Sequence, residues 1–188
     1  MTTTLMKSIF RLIPAALAAC VLLSATSCKP RSSTPTAAQP TGTGPVSAIP
    51  ASKTAPAWKL KDLEGHEVSS AQFKGKVVVV DFWATWCPPC VAEIPGYIEL
   101  QKKYGPQGLV IVGVSLDQKG PAHVKKFAGE KGMNYTLVMG DDAVVEAFGG
   151  IEAIPTTFLI NRDGQIVHQK TGAMAHDEYE KLVQQALK

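Results

Sequence analysis

Residues 77–90, VVVVDFWATWCPPC, carry the strongest structural signal in this chain. Its four consecutive valines predict a strand that is buried on both faces, as inside a sheet covered by helices. The two prolines after Cys87 are compatible with the first turn of a helix, where a backbone N–H has no intrahelical partner. We therefore predict that Cys87 lies at or near a helix N-cap and that Cys90 lies one turn inside.

The spacing of these two cysteines favours redox chemistry. Two thiols at a helix start are close enough to form a disulfide, and the helix dipole there favours a thiolate. A zinc site would need a second pair of ligands, and the other cysteines, Cys20 and Cys28, lie in a leader. A haem attachment site would need histidine where this chain has Val91. An inert structural disulfide is the remaining alternative, and we predict no metal site and no cofactor.

The motif Asp-Phe-Trp-Ala-x-Trp-Cys-x-x-Cys, residues 81–90, resembles the active site of the thioredoxin superfamily. Two further motifs, Leu-x-Asp-x-x-Gly-x-x-Val at 60–68 and Phe-Lys-Gly-Lys at 73–76, resemble the N-terminal hairpin of its TlpA/ResA-like branch. The resemblance covers roughly residues 55–188. It implies an α/β, thioredoxin-like fold, in which helices flank a central mixed sheet and an N-terminal β-hairpin extends it. It also implies thiol–disulfide oxidoreductase activity.

The residue pattern after the motif agrees with such a fold, because helical and extended segments alternate. Helices are predicted from the dithiol to about residue 104 and at 121–131, 141–148 and 176–187, with Asp141 as an N-cap. Extended segments are predicted at 109–114, 135–138, 154–160 and 165–170, the last two joined by a turn at 161–164.

Four side chains are candidates for the chemistry. Cys87 is predicted to be the nucleophile, since it is nearer the helix end and next to solvent, and Cys90 the resolving thiol. Asp81 follows buried valines, so a partly buried carboxylate with a raised pKa is predicted to take a proton from Cys90. Glu93 lies one helical turn after Cys90 and resembles the acid of the ResA-like Cys-x-x-Cys-x-x-Glu motif. The alternatives are structural hydrogen bonds for Asp81 and an ordinary surface position for Glu93.

Other residues are predicted to contact the substrate. Pro155 precedes a strand, and the resemblance implies that it forms the cis-proline loop facing the dithiol, although most X–Pro bonds are trans. There the Ile154 backbone is expected to pair with an extended substrate segment. Trp86, just before Cys87, and Pro88, just after it, are assigned to the same surface, whereas Trp83 is predicted to be core.

The chain divides into three predicted parts. Residues 1–28 combine a basic start with an apolar stretch and small residues, which indicates a signal peptide. Ala-Thr-Ser-Cys before and at Cys28 resembles a bacterial lipobox, so we predict lipidation there; lipidation at Cys20, cleavage without lipid and an uncleaved anchor are the alternatives. Residues 29–56, with six Pro and nine Ser or Thr, predict a disordered linker. The thioredoxin-like domain is predicted at 57–188, outside the cytoplasm and tethered to a membrane.

Charge argues against nucleic acid as a partner. The formal net charge is +3, but five of the 19 basic residues and none of the 16 acidic residues precede residue 58. The domain itself therefore lacks a basic field. The resemblance instead implies protein thiols or disulfides as substrates, such as apocytochrome c or other secreted proteins, and an unidentified membrane or periplasmic electron donor.

Three classes of function compete at this point. We favour a membrane-tethered thiol–disulfide oxidoreductase that reduces protein disulfides. A peroxiredoxin-like peroxidase would need Thr or Ser three residues before the reactive cysteine, where this chain has Ala84. A non-catalytic binding module on the same fold would not need an intact Cys-x-x-Cys. The four histidines, at positions 66, 123, 168 and 176, show no ligand spacing and are predicted to be surface or capping residues.

Overall fold

A computed structural model describes residues 53–188, which form one eight-stranded mixed sheet with helices on both faces. The strands are β1 Lys53–Thr54, β2 Lys59–Asp62, β3 Glu67–Ser69, β4 Val77–Trp83, β5 Leu109–Ser115, β6 Thr136–Met139, β7 Thr156–Ile160 and β8 Gln165–Thr171. The α-helices are α1 Pro88–Tyr104, α2 Pro121–Lys131, α3 Asp142–Ala147 and α4 His176–Leu187. The order of the strands across the sheet is β1-β8-β7-β4-β5-β6-β2-β3. The predicted thioredoxin-like α/β fold is confirmed.

The valine-rich strand β4 lies at the centre of the sheet, as predicted. It pairs in parallel with β5 and antiparallel with β7, and all seven of its residues are buried. Successive side chains of a strand point to opposite faces, so β4 supplies both cores. Val77 and Val79 pack with residues of α1 and α4, whereas Val78 and Val80 pack on the other side with Phe148 and other residues. Each buried valine stabilises the fold by roughly 1.5 to 3 kcal/mol.

The alternation along β4 also decides where its acid points. Asp81 follows Val77 and Val79 by even steps, so its side chain lies on the face covered by α1 and α4. Two residues further on, Trp83 shares a buried cluster with Cys87 and Cys90. The central strand therefore places the Asp81 carboxyl group and the Trp83 side chain on the same side of the sheet as the dithiol.

The N-terminal hairpin is confirmed. Strands β2 and β3 pair antiparallel, with Leu60 opposite Val68, and β2 continues onto β6 through the pair Lys61 and Met139. The hairpin thereby extends the sheet beyond β6. Its attachment point could not be predicted from the local pattern, because β6 lies more than 70 residues further along the chain.

The sheet starts earlier than the predicted domain boundary at Ala57. Lys53 and Thr54 pair antiparallel with Ile166 and Gln165 of β8. A two-residue edge strand has no hydrophobic alternation, so its composition resembles that of the Pro- and Thr-rich segment before it. The predicted leader, with Cys20 and Cys28, and most of the predicted linker lie outside the described residues. Within residues 53–188, no helix is both long enough and apolar enough to cross a membrane.

The remaining helices agree with the sequence patterns. Helix α2 spans the predicted residues, and Val124 and Ala128 are its buried side chains. The Asp141 carboxylate accepts a hydrogen bond of 2.8 Å from the Val144 N–H and so forms the predicted N-cap of α3. In α4, Tyr179 and Val183 are buried against the sheet.

Candidate active site

The dithiol lies at the start of α1. Cys87 is the N-cap residue, Pro88 and Pro89 occupy the first helical positions, and Cys87 and Cys90 form a disulfide. Because the prolines carry no N–H, the first backbone donor of the helix is Cys90, whose N–H lies 3.3 Å from Cys87 Sγ. A helix N-terminus with one N–H aimed at a sulfur stabilises negative charge on that sulfur when the disulfide is reduced.

The expectation that Cys87 faces solvent is wrong for this oxidised state. Cys87 is 4% exposed and Cys90 is 2% exposed, so exposure does not distinguish the two sulfurs. Cys87 packs in the cluster that contains Trp83, and its Sγ lies 3.7 Å from the Ile154 carbonyl oxygen. The loop before β7, distant in sequence, supplies this cover. What still distinguishes Cys87 is its position at the N-cap.

The loop that covers the sulfur contains the predicted cis-proline. The Ile154–Pro155 peptide bond is cis, and the Pro155 carbonyl oxygen accepts a hydrogen bond of 2.8 Å from the Gly172 N–H. The contact between Cys87 and Ile154 therefore brings this loop against the dithiol, as the resemblance implied.

The two tryptophans of the motif have different surroundings, as predicted. Trp83 is 2% exposed, whereas Trp86 is 63% exposed and is the one large hydrophobic side chain classed as exposed within residues 53–188. Pro88, two residues further on, is also exposed. An exposed indole beside a redox dithiol presents apolar area to a protein that docks there.

Asp81 is more deeply buried than the sequence suggested, with only 3% of its surface exposed. Burial, and to a lesser extent the negative charge of Glu93, raise the pKa of this carboxyl group to about 8. One interaction opposes the shift: the Thr157 hydroxyl donates a hydrogen bond of 3.2 Å to Asp81 Oδ1. Asp81 and Thr157 are opposite each other in the β4–β7 pair, which explains this contact. A carboxyl group with this pKa can both accept and release a proton near neutral pH.

Glu93 is half-buried on α1, one turn after Cys90. Its Oε1 accepts a hydrogen bond of 2.9 Å from the Met174 N–H, and its Oε2 is buried without a partner among the described residues. Burial raises the pKa of Glu93, while the bond from Met174 partly opposes the shift. The two carboxyl groups are near enough for the charge of Glu93 to act on Asp81, so the structure brings the predicted acids together.

A polar network beneath the Trp86–Cys87 turn was not predicted. The Asp117 carboxylate accepts hydrogen bonds from the Thr85 N–H at 2.9 Å, from the Thr85 hydroxyl at 2.5 Å and from the Ser115 hydroxyl at 2.9 Å. Since the Thr85 hydroxyl donates to Asp117, the His123 ring, with Nε2 3.1 Å from Thr85 Oγ1, acts as the donor to that oxygen.

This network corrects the interpretation of His123, which is half-buried and bonded to the active-site turn. One signal was available in the sequence: Asp117 follows β5, and the carboxyl ends of neighbouring parallel strands meet at the same edge of a sheet. The network fixes the turn that positions Cys87.

The other three histidines lie apart from the dithiol. His66 contacts Asp62 at 3.1 Å, and His176 Nε2 lies 3.6 Å from Glu99. His168 is partly buried on β8, which lowers its pKa. Within residues 53–188, no group of three or more His, Cys, Asp or Glu side chains is placed to hold a metal ion.

A family model and several known proteins are similar to this chain. The Redoxin family model matches residues 50–186. Thiol-disulfide oxidoreductase ResA from Geobacillus kaustophilus is 36% identical over 136 residues, which cover 72% of this chain and 77% of that protein. ResA from Bacillus anthracis is 34% identical over 128 residues, which cover 68% and 73%.

Solved structures agree. A thiol:disulfide interchange protein from Chlorobium tepidum TLS superposes with a TM-score of 0.68 at 33% identity, over 75% of this chain and 100% of that chain. StoA from Bacillus subtilis superposes with a TM-score of 0.57 at 26% identity, over 68% and 96%. With its Cys87–Cys90 pair at the N-terminus of α1, the chain belongs to the Redoxin family and, within it, to the ResA-like thiol–disulfide oxidoreductases of the thioredoxin superfamily.

Proposed function

We propose that this oxidoreductase works as a reductase of protein disulfides, with Cys87 as the nucleophile and Cys90 as the resolving thiol. The Cys87 thiolate attacks one sulfur of the substrate disulfide, and the other substrate sulfur leaves as a thiolate. Cys90 then attacks Cys87 Sγ, which releases the second substrate thiol and forms the Cys87–Cys90 disulfide. Two electrons pass to the substrate, so a donor dithiol must reduce the pair again. The observation that carries this proposal is the N-cap position of Cys87, where the Cys90 N–H points at its sulfur.

Asp81 is proposed as the base for the resolving step. Cys90 must lose its proton to attack, and a buried carboxyl group with a pKa of about 8 can accept that proton without being a permanent charge in the core. Glu93, whose charge affects Asp81, is proposed as a second acid in the same proton transfer. The two carboxyl groups titrate as a coupled pair, so each proton change at one alters the other.

The docking surface is proposed to comprise Trp86, Pro88 and the Ile154–Pro155 loop. Trp86 and Pro88 supply exposed apolar area, and the Ile154 carbonyl oxygen lies 3.7 Å from Cys87 Sγ. An extended substrate segment that pairs with the Ile154 backbone would bring its own sulfur toward Cys87. This mode favours substrates that are unfolded or locally extended, which suits apocytochrome c or other secreted thiol proteins.

The N-terminal region is proposed to hold the domain on the outer side of a membrane. Residues 1–28 would serve as a lipoprotein signal with lipid on Cys28, and residues 29–52, up to the start of β1, as a linker that gives the domain reach. The donor that reduces the dithiol would then be a membrane or periplasmic protein. The support for this proposal is the sequence pattern of the leader and linker.

Replacing the resolving thiol should trap substrates. In Cys90→Ser the mixed disulfide at Cys87 has no internal thiol to resolve it, so covalent complexes with disulfide-bonded proteins should accumulate. Nonreducing gels and mass spectrometry would detect and identify them. The matched control is Cys87→Ser, which should trap far fewer partners. Equal trapping by both variants would contradict the assigned roles.

Removing the buried carboxyl group should slow the resolving step. We expect Asp81→Asn to reduce the rate at which Cys90 resolves a preformed mixed disulfide by about 10²-fold, the scale of general base catalysis. Rapid mixing followed by acid quench would measure this rate separately from the first attack by Cys87. The control is Asp142→Asn, which changes an exposed acid at the start of α3. An Asp81→Asn rate equal to that of the wild type would show that Asp81 is not the base.

The anchoring proposal predicts which cysteine carries lipid. In a bacterial host grown with a labelled fatty acid, the full chain and Cys20→Ala should both incorporate label, whereas Cys28→Ala should not. Label lost only in Cys20→Ala would assign the site to the alternative cysteine. Absence of label in all three proteins would contradict lipidation.

A further inference from the structure

A cavity of about 190 Å³ opens between α1, α4 and the loop before α4. Its rim includes the exposed residues Ala173 and His176, and its floor includes the buried residues Tyr97 and Tyr179. Glu93 forms part of the wall. The cavity therefore leads from the surface to the layer of aromatic side chains that covers Asp81.

Two buried polar atoms among the residues of this cavity have no partner within the described part of the chain. They are Glu93 Oε2 and the Tyr179 hydroxyl. Buried polar groups are almost always hydrogen-bonded, and ordered water satisfies those that protein groups do not reach. A cavity of this volume has room for several water molecules. The cavity is open to the surface, and Glu93 adds a carboxyl group to a lining that is otherwise mostly apolar, so water can enter it.

A chain of hydroxyl groups joins the floor of the cavity to Asp81. The Tyr97 and Thr157 oxygens are 3.3 Å apart, and Thr157 Oγ1 lies 3.2 Å from Asp81 Oδ1. Since Thr157 donates to the carboxylate, the Tyr97 hydroxyl donates to Thr157. Both hydrogen bonds then point toward Asp81, which is the direction for delivering a proton. If both hydroxyl groups rotate, Thr157 donates to Tyr97 and Tyr97 donates to water. The chain can then carry a proton away from Asp81.

We propose that Tyr97 and Thr157 form a proton relay between Asp81 and water in the cavity beside Glu93. This inference rests on the role proposed above for Asp81 as the base for Cys90. Asp81 is 3% exposed, so a proton taken from Cys90 has no direct path to bulk solvent. The relay gives it one, and it makes Tyr97 and Thr157 positioning residues that act through Asp81.

The proton balance of one turnover is simple. The Cys90 thiol gives its proton to the Asp81 carboxylate as the sulfur attacks Cys87, and the bond to the substrate sulfur breaks. Asp81 is mostly protonated below its pKa of about 8, so before each such transfer it gives its own proton to Thr157, which passes one to Tyr97, which passes one to water. Each hydroxyl group gains one proton and loses one. Burial, and then the charge of Asp81, keep the pKa of Tyr97 well above its usual value, so it relays as a phenol.

Several other titratable groups face the relay and would contribute to any pH profile. From α1 these are Glu93 and the Cys90 thiol, and from α4 it is Tyr179. Tyr135, before β6, also senses the charge of Asp81. A pH profile alone would not assign an effect to Tyr97, so the test relies on rate, isotope effect and chemical rescue.

The test compares two tyrosines of α1. Tyr97→Phe removes the relay hydroxyl, whereas Tyr104→Phe removes a hydroxyl that is also on a buried residue but bonds to Glu180 and Gln184, away from Asp81. We expect Tyr97→Phe to slow the resolving step at least tenfold and to change its solvent isotope effect. Azide, a small proton carrier, should restore part of the lost rate. The first attack by Cys87 should be unchanged, and Tyr104→Phe should match the wild type.

Three results would overturn the relay. They are a wild-type resolving rate in Tyr97→Phe, an equal loss in Tyr104→Phe, and a loss in Tyr97→Phe that azide does not relieve, which would indicate a packing defect. Measuring the resolving rate of Asp81→Asn in parallel distinguishes a failure of the relay from a failure of Asp81 as the base. If it slows the step and Tyr97→Phe does not, only the relay fails. If Asp81→Asn has no effect, the role of Asp81 fails as well.

Discussion

The burial of one carboxyl group constrains the rest of this site. Asp81 occupies the central strand among valines and is 3% exposed, and burial holds its pKa near 8 instead of its usual value of 3.8. A shift of this size is worth on the order of 5 kcal/mol once the group is ionised. Between about pH 4 and 8 the folded chain keeps a proton that the unfolded chain has lost, so stability falls as pH rises through this window. The cost of burying this acid is hard to explain by structural need, since within residues 53–188 the Asp81 carboxylate accepts one side-chain hydrogen bond, from Thr157.

Three neighbouring elements, β4, α1 and β7 with the loop before it, place the reactive groups near Asp81. Strand β4 continues from Asp81 to the turn that carries Cys87, and helix α1 begins there with Pro88, so the dithiol and the acid belong to one continuous segment. The cis-proline loop before β7 closes over Cys87, and β7 itself places Thr157 opposite Asp81. The Asp117 network fixes the turn between strand and helix. Each contact is made by backbone or by a short side chain, which suits a site that must change protonation and sulfur bonding without rearranging its frame.

Local patterns in the sequence predicted most of the fold and the main site residues. The valine run, the Cys-Pro-Pro-Cys turn and the Asp141 cap encode their structures within a few residues, and each was found as expected. Features that depend on distant partners were missed. Lys53–Thr54 is a strand only because β8 lies beside it, and Cys87 is buried because the Ile154 loop covers it. His123, Thr157 and Tyr97 have no motif of their own; strand pairing and helix packing bring them to the site. The acids were predictable as candidates, but the depth of Asp81 required the assembled sheet.

The proposed mechanism requires Asp81 to bind and release a proton near neutral pH. The direct measurement is a carbon-13 NMR titration of the Asp81 side-chain carboxyl in the oxidised protein, with Asp81→Asn used to assign the signal. We expect a midpoint near pH 8. A midpoint near pH 4 would mean that Asp81 is an ordinary ionised carboxylate at neutral pH, and it would contradict the mechanism.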